Sequence, residues 1–101
     1  MTDPQKPSLT GPDYSLRLFI SGLSLHSIRA VKNLKHICEL HLKGKYELEI
    51  IDIYQQPELA SEEQIIATPL MIVKRPMPER RVVGDLSDME KVLEILNVKE
   101  S

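Results

Sequence analysis

One cysteine, Cys38, stands in a chain of 101 residues. A lone cysteine excludes an internal disulfide and a Cys-x-x-Cys redox pair, and it suits a reducing compartment. Aromatic side chains are as scarce. Tyr14, Phe19, Tyr46 and Tyr54 are the whole set, a poor endowment for a base-stacking nucleic-acid platform. Glycine is sparse, and Gly22 has no glycine neighbours of the kind that cradle a phosphate. No apolar run approaches the ~20 residues of a membrane span. The first ten residues are polar and lack a secretory apolar core, so we expect a cytoplasmic protein. The formal net charge of -2 argues against a generic nucleic-acid binder.

What is present is an ordinary globular composition, 42% hydrophobic. The length suits one domain, with a core that is marginal unless an oligomer supports it. Charge is unevenly spread. From Leu25 to Lys45 the bases Arg29, Lys32, Lys35, Lys43 and Lys45 face one acid, Glu39, whereas from Tyr46 onward acids outnumber bases twelve to six. A basic half and an acidic half favour electrostatically matched protein contacts, with copies of the chain or with a partner. Pro4, Pro7, Gly11 and Pro12 mark residues 1–13 as a disordered lead-in. Residues 14–98 form the single domain, and 99–101 a short tail.

Leu16 to Ile20 is apolar with one charge and suits a central strand. Ser21-Gly22-Leu23-Ser24 turns the chain, and Ser24, with Ser27 competing, caps a helix that runs to about Leu42. Its stripe of Ser27, Ala30, Val31, Leu34, Ile37 and Cys38 has the spacing of a helix lying on a sheet, and Gly44 ends it. Tyr46 to Ile50 alternates before the more apolar Ile51-Asp52-Ile53, which reads as a strand entering the middle of a sheet. The two strands flanking the helix are then parallel. Pro57 opens a short helix that Ile65 and Ile66 close, because Thr68 precedes Pro69 and is pushed to extended geometry. Leu70 to Val73 is a buried strand. Pro76 and Pro78 forbid a continuous strand or helix across 74–79, and Arg80 to Val83 returns antiparallel. Ser87-Asp88-Met89-Glu90 reads as a capping box before a helix with Met89, Val92, Leu93 and Leu96 on one face. The order β-α-β-α-β-β-α is that of a thioredoxin-like α/β fold, with Pro69 where that fold places its cis-proline.

The chemistry of such a fold needs a dithiol at the start of the first long helix, where the helix dipole lowers a thiol pKa. Here that loop reads Gly22-Leu23-Ser24-Leu25-His26-Ser27. Cys38 lies on the apolar stripe and reads as a buried small hydrophobe. His26, His36 and His41 make no metal set, since a spacing of five puts His36 and His41 off a common face. Asp52, Asp85 and Asp88 read as strand-end, corner and cap residues. We therefore expect no catalytic residues, no cofactor and no metal.

Several segments together resemble one family. Leu16-Arg17-Leu18-Phe19-Ile20-Ser21-Gly22, Ser27-Ile28-Arg29-Ala30-Val31-Lys32-Asn33-Leu34, Ile51-Asp52-Ile53, Pro57-Glu58-Leu59-Ala60, Ile66-Ala67-Thr68-Pro69 and Gly84-Asp85-Leu86-Ser87 are similar to the KaiB circadian-clock family, in register from about Tyr14 to Asn97. No single motif is decisive; the ordered set is specific. The resemblance implies a non-enzymatic regulator that docks on a KaiC-like ATPase, in a clock or a stress-response system. It implies self-association as a homotetramer or dimer, whose ground state packs the C-terminal half in a rearranged way, and a rarer thioredoxin-like monomer. Arg29, Tyr46, Arg80 and Arg81 keep the family pattern and are the expected partner-binding residues. Pro69, Pro76, Pro78, Ile95 and Asn97 are the expected conformational-switch positions. Ile95 replaces a helix-weakening glycine, which favours the helical arrangement by up to roughly 1 kcal/mol. Gln64 replaces a lysine that in the pattern faces KaiC, and Glu49 one near the edge that meets KaiA; the departures weigh most against a KaiA partner. The competing classes are a thioredoxin-like oxidoreductase and a nucleic-acid binder using the basic helix.

Overall fold

The computed structural model describes residues 12–98. The expected tail, and all of the lead-in except Pro12 and Asp13, lie outside the described residues. Among these residues four strands and three helices follow in the order β1 (Tyr14–Ile20), α1 (Leu25–His41), β2 (Tyr46–Asp52), α2 (Pro57–Glu62), β3 (Leu70–Arg75), β4 (Arg80–Val83) and α3 (Met89–Ile95). The sheet order is β2-β1-β3-β4. β1 and β2 are parallel, with Leu18 opposite Ile50. β3 is antiparallel to both β1 and β4. This is the thioredoxin-like arrangement that the sequence pattern implies.

Strand alternation divides the core in two. On one face, Leu16 and Leu18 of β1, Met71 and Val73 of β3 and Val82 of β4 meet Ala30, Leu34, Ile37 and Cys38 of α1 and Val92, Leu93 and Leu96 of the α3 segment. On the other face, Phe19, Ile51, Leu70 and Ile72 form a smaller cluster, joined by Ile53, Leu59 and Ile65 around α2. Each fully buried Leu, Ile or Phe contributes about 1.5–3 kcal/mol, so the α1/α3 face carries most of the packing energy.

Local signals explain the helix ends. The Ser24 side chain accepts from the Ser27 amide at 3.3 Å, capping α1. α2 and α3 both finish in a Schellman motif. After α2, Gln64 adopts φ +57°, its amide donates to Ser61 and that of Ile65 to Ala60. After α3, Asn97 adopts φ +61°, its amide donates to Glu94 and that of Val98 to Leu93.

Three expectations are corrected. β2 is an edge strand rather than a middle one. Glu47 and Glu49 stay in solvent and only Ile51 is buried, so the alternation outweighed the apolar run. α2 stops at Glu62, well short of Thr68, because Gln64 turns left-handed and sends Ile65 back onto the core. The cap of α3 is Asp88, whose carboxylate accepts from the Lys91 amide at 3.2 Å, and not a Ser87–Glu90 box. Ser87 is engaged instead in a turn, its amide donating to Asp85 at 3.1 Å.

Candidate functional site

The loops at the end of β1 gather a ring of hydroxyl groups. Gly22, at φ +60°, makes the turn out of β1 that a side chain would strain. Its amide donates to the Asp52 carboxylate at 3.2 Å, and the Tyr54 amide donates to the same oxygen at 2.9 Å. Asp52 thus joins the β1–α1 turn to the end of β2. Ser27, fully buried, accepts from the Ser21 amide at 3.0 Å. The Thr68 hydroxyl donates to that of Ser21 at 3.0 Å. Next to it the Thr68–Pro69 bond is cis, and the Pro69 carbonyl accepts from the Gly84 amide at 2.9 Å.

This is the place where a thioredoxin-like enzyme would carry its dithiol, and here it holds hydroxyls, of which Thr68 bonds Ser21 while Ser24 and Ser27 accept from backbone amides. Among the described residues no histidine or carboxylate is hydrogen-bonded to Ser21, Ser24, Ser27 or Thr68 as a general base would be. Among the described residues no group of three potential metal ligands forms. Cys38 lies in the core, and burial, with Glu39 adding to it, pushes its thiol up to about 12. A thiol of that kind is inert at neutral pH. The arrangement does offer exposed apolar side chains around the hydroxyl ring. Leu23 is 88% exposed, Tyr54 74% and Ile66 95%. Apolar groups held out on a hydrogen-bonded frame suit a protein contact.

The four expected partner-binding residues are placed apart. Arg29 stands exposed on α1 beside this end. It faces Asp85, whose carboxyl is held below its ordinary value by hydrogen bonds from Ser87, helped by His26 and Arg29. The Asp85 carbonyl accepts from Asn33 at 2.8 Å, fixing that loop on α1. Tyr46 begins β2 at the far end of the sheet, and its hydroxyl donates to Glu39 at 3.1 Å. That bond pushes the phenol pKa up. Arg80 lies on the α1/α3 side and its guanidinium donates to the Ile95 carbonyl, clasping the end of α3 to β4. Arg81 points to the opposite face. Of the switch positions, Pro69 is buried at the start of β3, and Pro76 and Pro78, both cis, lie between β3 and β4. Ile95 closes α3, and Asn97 is its left-handed cap.

Sequence reasoning missed a second feature. Glu63 receives Arg17 of β1 at 3.0 Å, Lys74 of β3 at 2.7 Å and Arg81 of β4 at 3.3 Å. Glu49 adds a pair to Arg17, and Glu79 pairs with Lys74 and Arg81. Glu63 is the least exposed of these six side chains, at 15%. The Lys74 hydrogen bond holds its carboxyl below the ordinary value, with desolvation opposing and Lys74, Arg17 and Arg81 charges assisting. The lower half of this sheet face, which the short α2 leaves uncovered, is thus closed by charge.

The topology has many relatives among solved structures. Chloroplastic thioredoxin z matches with a TM-score of 0.69 at 17% identity, over 92% of this chain and 87% of its own. The N-terminal domain of Synechococcus elongatus SasA matches with a TM-score of 0.69 at 22% identity, over 90% of each chain. These likenesses show the fold alone. The sequence decides more: the model of the KaiB domain matches residues 17–98. The chain belongs to the KaiB family. The circadian clock oscillator protein KaiB of Synechococcus elongatus is 48% identical over 80 residues, 79% of this chain and 78% of that protein. Its counterpart from Picosynechococcus is 49% identical over 79% of this chain and 77% of its own. The KaiB match therefore spans the hydroxyl ring, the Glu63 network and, apart from Leu16, the buried residues of both core clusters. These relatives are named for a clock role, and that name carries no catalytic activity.

Proposed function

We propose that this protein is a non-enzymatic regulator that docks on a KaiC-like ATPase, in a circadian clock or a stress-response system. The observation that carries the reading is the KaiB domain over residues 17–98, on a fold whose usual dithiol position holds serine and threonine hydroxyls in place of thiols. The docking surface we assign is the end bearing Leu23, Tyr54 and Ile66, with Arg29 at its border. Buried apolar anchors ringed by polar groups dominate the energy of such contacts. Arg81, Tyr46 and Arg80 lie outside this end. They belong to the proposal as supports: Arg81 through Glu63, Tyr46 through Glu39, and Arg80 through its hold on α3.

Self-association as a homotetramer or dimer, cytoplasmic residence and a second packing of the C-terminal half belong to the same proposal. So do Pro69, Pro76, Pro78, Ile95 and Asn97 as the positions where the packings diverge. No observation favours an oxidoreductase, since the one thiol is buried.

The test is co-elution with a purified, nucleotide-loaded KaiC-like ATPase. The wild-type chain is expected to co-elute, and Ile66→Asp to weaken binding about tenfold or more while leaving the circular-dichroism spectrum unchanged. Absence of wild-type binding, or turnover in an insulin-reduction assay, overturns the reading.

A further inference from the structure

Along one flank of α1 runs a hollow of about 380 Å³, lined by Ile20, Leu23, Ile28, Val31, Lys32 and Lys35. It adjoins the hydroxyl ring, sharing Gly22, Leu23 and Ser27 with the end surface, and extends from there along α1. Its origin is visible in the helix. The stripe Ser27, Ala30, Leu34, Ile37 and Cys38 is buried against the sheet. Ile28 and Val31 fall on the next stripe round: Val31 packs against the edge of the core and stays partly exposed, and Ile28 is 48% exposed.

The cations are spaced to match. Lys32 lies four residues after Ile28, and Lys35 four after Val31, so each ammonium sits one turn beyond an apolar side chain on the same surface. Their methylene stems extend the apolar wall while the charged ends reach solvent. Neither lysine forms an ion pair or hydrogen bond among the described residues. The one acid of α1, Glu39, is engaged by the Tyr46 hydroxyl. The surface is therefore an apolar trough that ends in two uncompensated positive charges. This differs from the Glu63 face, where acids and bases neutralise one another.

We propose that this flank is a docking site for an amphipathic acidic helix of another protein, one that sets aliphatic side chains on Ile20, Ile28 and Val31 and carboxylates on Lys32 and Lys35. Charge complementarity selects that occupant. A basic helix would meet like charge, and an uncharged one would leave both ammonium groups without a partner. A helix suits the trough because aliphatic and acidic groups one turn apart on it repeat the spacing that α1 presents. The inference goes beyond the ATPase reading and does not rest on it.

The probe is a synthetic amphipathic peptide about 18 residues long, with leucines at helical spacing and glutamates one turn beyond. A second peptide carries lysine in place of every glutamate. With isotope-labelled full-length protein, the glutamate peptide is expected to move the amide signals of Ile20, Ile28 and Val31, with micromolar affinity. K32E/K35E is expected to weaken that peptide about tenfold or more and to gain binding to the lysine peptide. Both positions are exposed on a helix, so the variant keeps the fold, which an unchanged spectrum outside α1 verifies. Three results overturn the proposal: no shift at these residues at millimolar peptide, affinity unchanged by K32E/K35E, or flotation with phosphatidylglycerol vesicles in place of peptide binding, which would assign the flank to a lipid surface.

Discussion

The two faces of the sheet are closed by different physics. The α1/α3 face is covered by two helices and filled with aliphatic side chains. The α2 face has a six-residue helix over its upper half, and its lower half is held by Glu63 and its three cations. Packing is insensitive to salt and pH, whereas a partly exposed charge cluster responds to both. The molecule thus has a face whose strength is constant and one whose strength depends on the solution.

The largest effect is expected on the packed face. Leu34→Ala removes a fully buried side chain of α1 and should cost about 2–5 kcal/mol in urea unfolding, with little dependence on salt. Glu63→Gln should cost less, about 1–2 kcal/mol, since partly exposed pairs are worth ~0.2–1 kcal/mol each. Its sign with pH follows from the lowered carboxyl pKa. Glu63 binds its proton more weakly folded than unfolded, so its contribution is whole above its ordinary value of 4.5 and disappears as pH falls through the depressed folded value. The stability gap between wild type and Glu63→Gln should therefore close in acid and shrink at high salt. A gap that matches Leu34→Ala, or that ignores both variables, breaks the contrast between the faces. The smallest effect probes how α3 is kept on the packed face. Asn97 is left-handed, a conformation that costs most residues about 1–2 kcal/mol and glycine almost nothing. Asn97→Ala should lose about 1 kcal/mol, and Asn97→Gly should match or slightly exceed wild type in the same unfolding experiment.

The order of elements was legible because periodicity and caps agree along the chain: the α1 stripe, the Ser24 cap, Pro57 at the start of α2, and the 89/92/93/96 stripe of α3. The edge position of β2 was misread because Ile50-Ile51-Asp52-Ile53 looks continuous, while the decisive signal was Glu47 and Glu49, two charges side by side on one strand face. The length of α2 was misread because Ile65 and Ile66 continue an apolar pattern, and nothing local marks Gln64 as left-handed. The Glu63 network was illegible for a different reason. Its three cations come from three strands, and they converge only when register is set. The same holds for Arg80, whose acceptor is a backbone carbonyl 15 residues away. The hydroxyl ring left a trace, the density of Ser and Thr at 21, 24, 27 and 68, but the exposure of Leu23 and Ile66 did not, since isolated apolar residues in a loop carry no sign of which way they face.

The seven-residue length of α3 has a consequence for how the molecule breathes. A free helix of that length does not persist in water, where ~12–15 residues are already marginal. Its hydrogen bonds therefore exist only while Val92, Leu93 and Leu96 are docked and Arg80 holds the Ile95 carbonyl. Loss of that docking exposes the bonded amides of α3, from Lys91 onward, to exchange in a single event, rather than by fraying from one end. The 17-residue α1 can lose its last turn and remain a helix. In deuterium exchange the C-terminal segment is one unit with one opening free energy, set by tertiary contact and not by its own sequence.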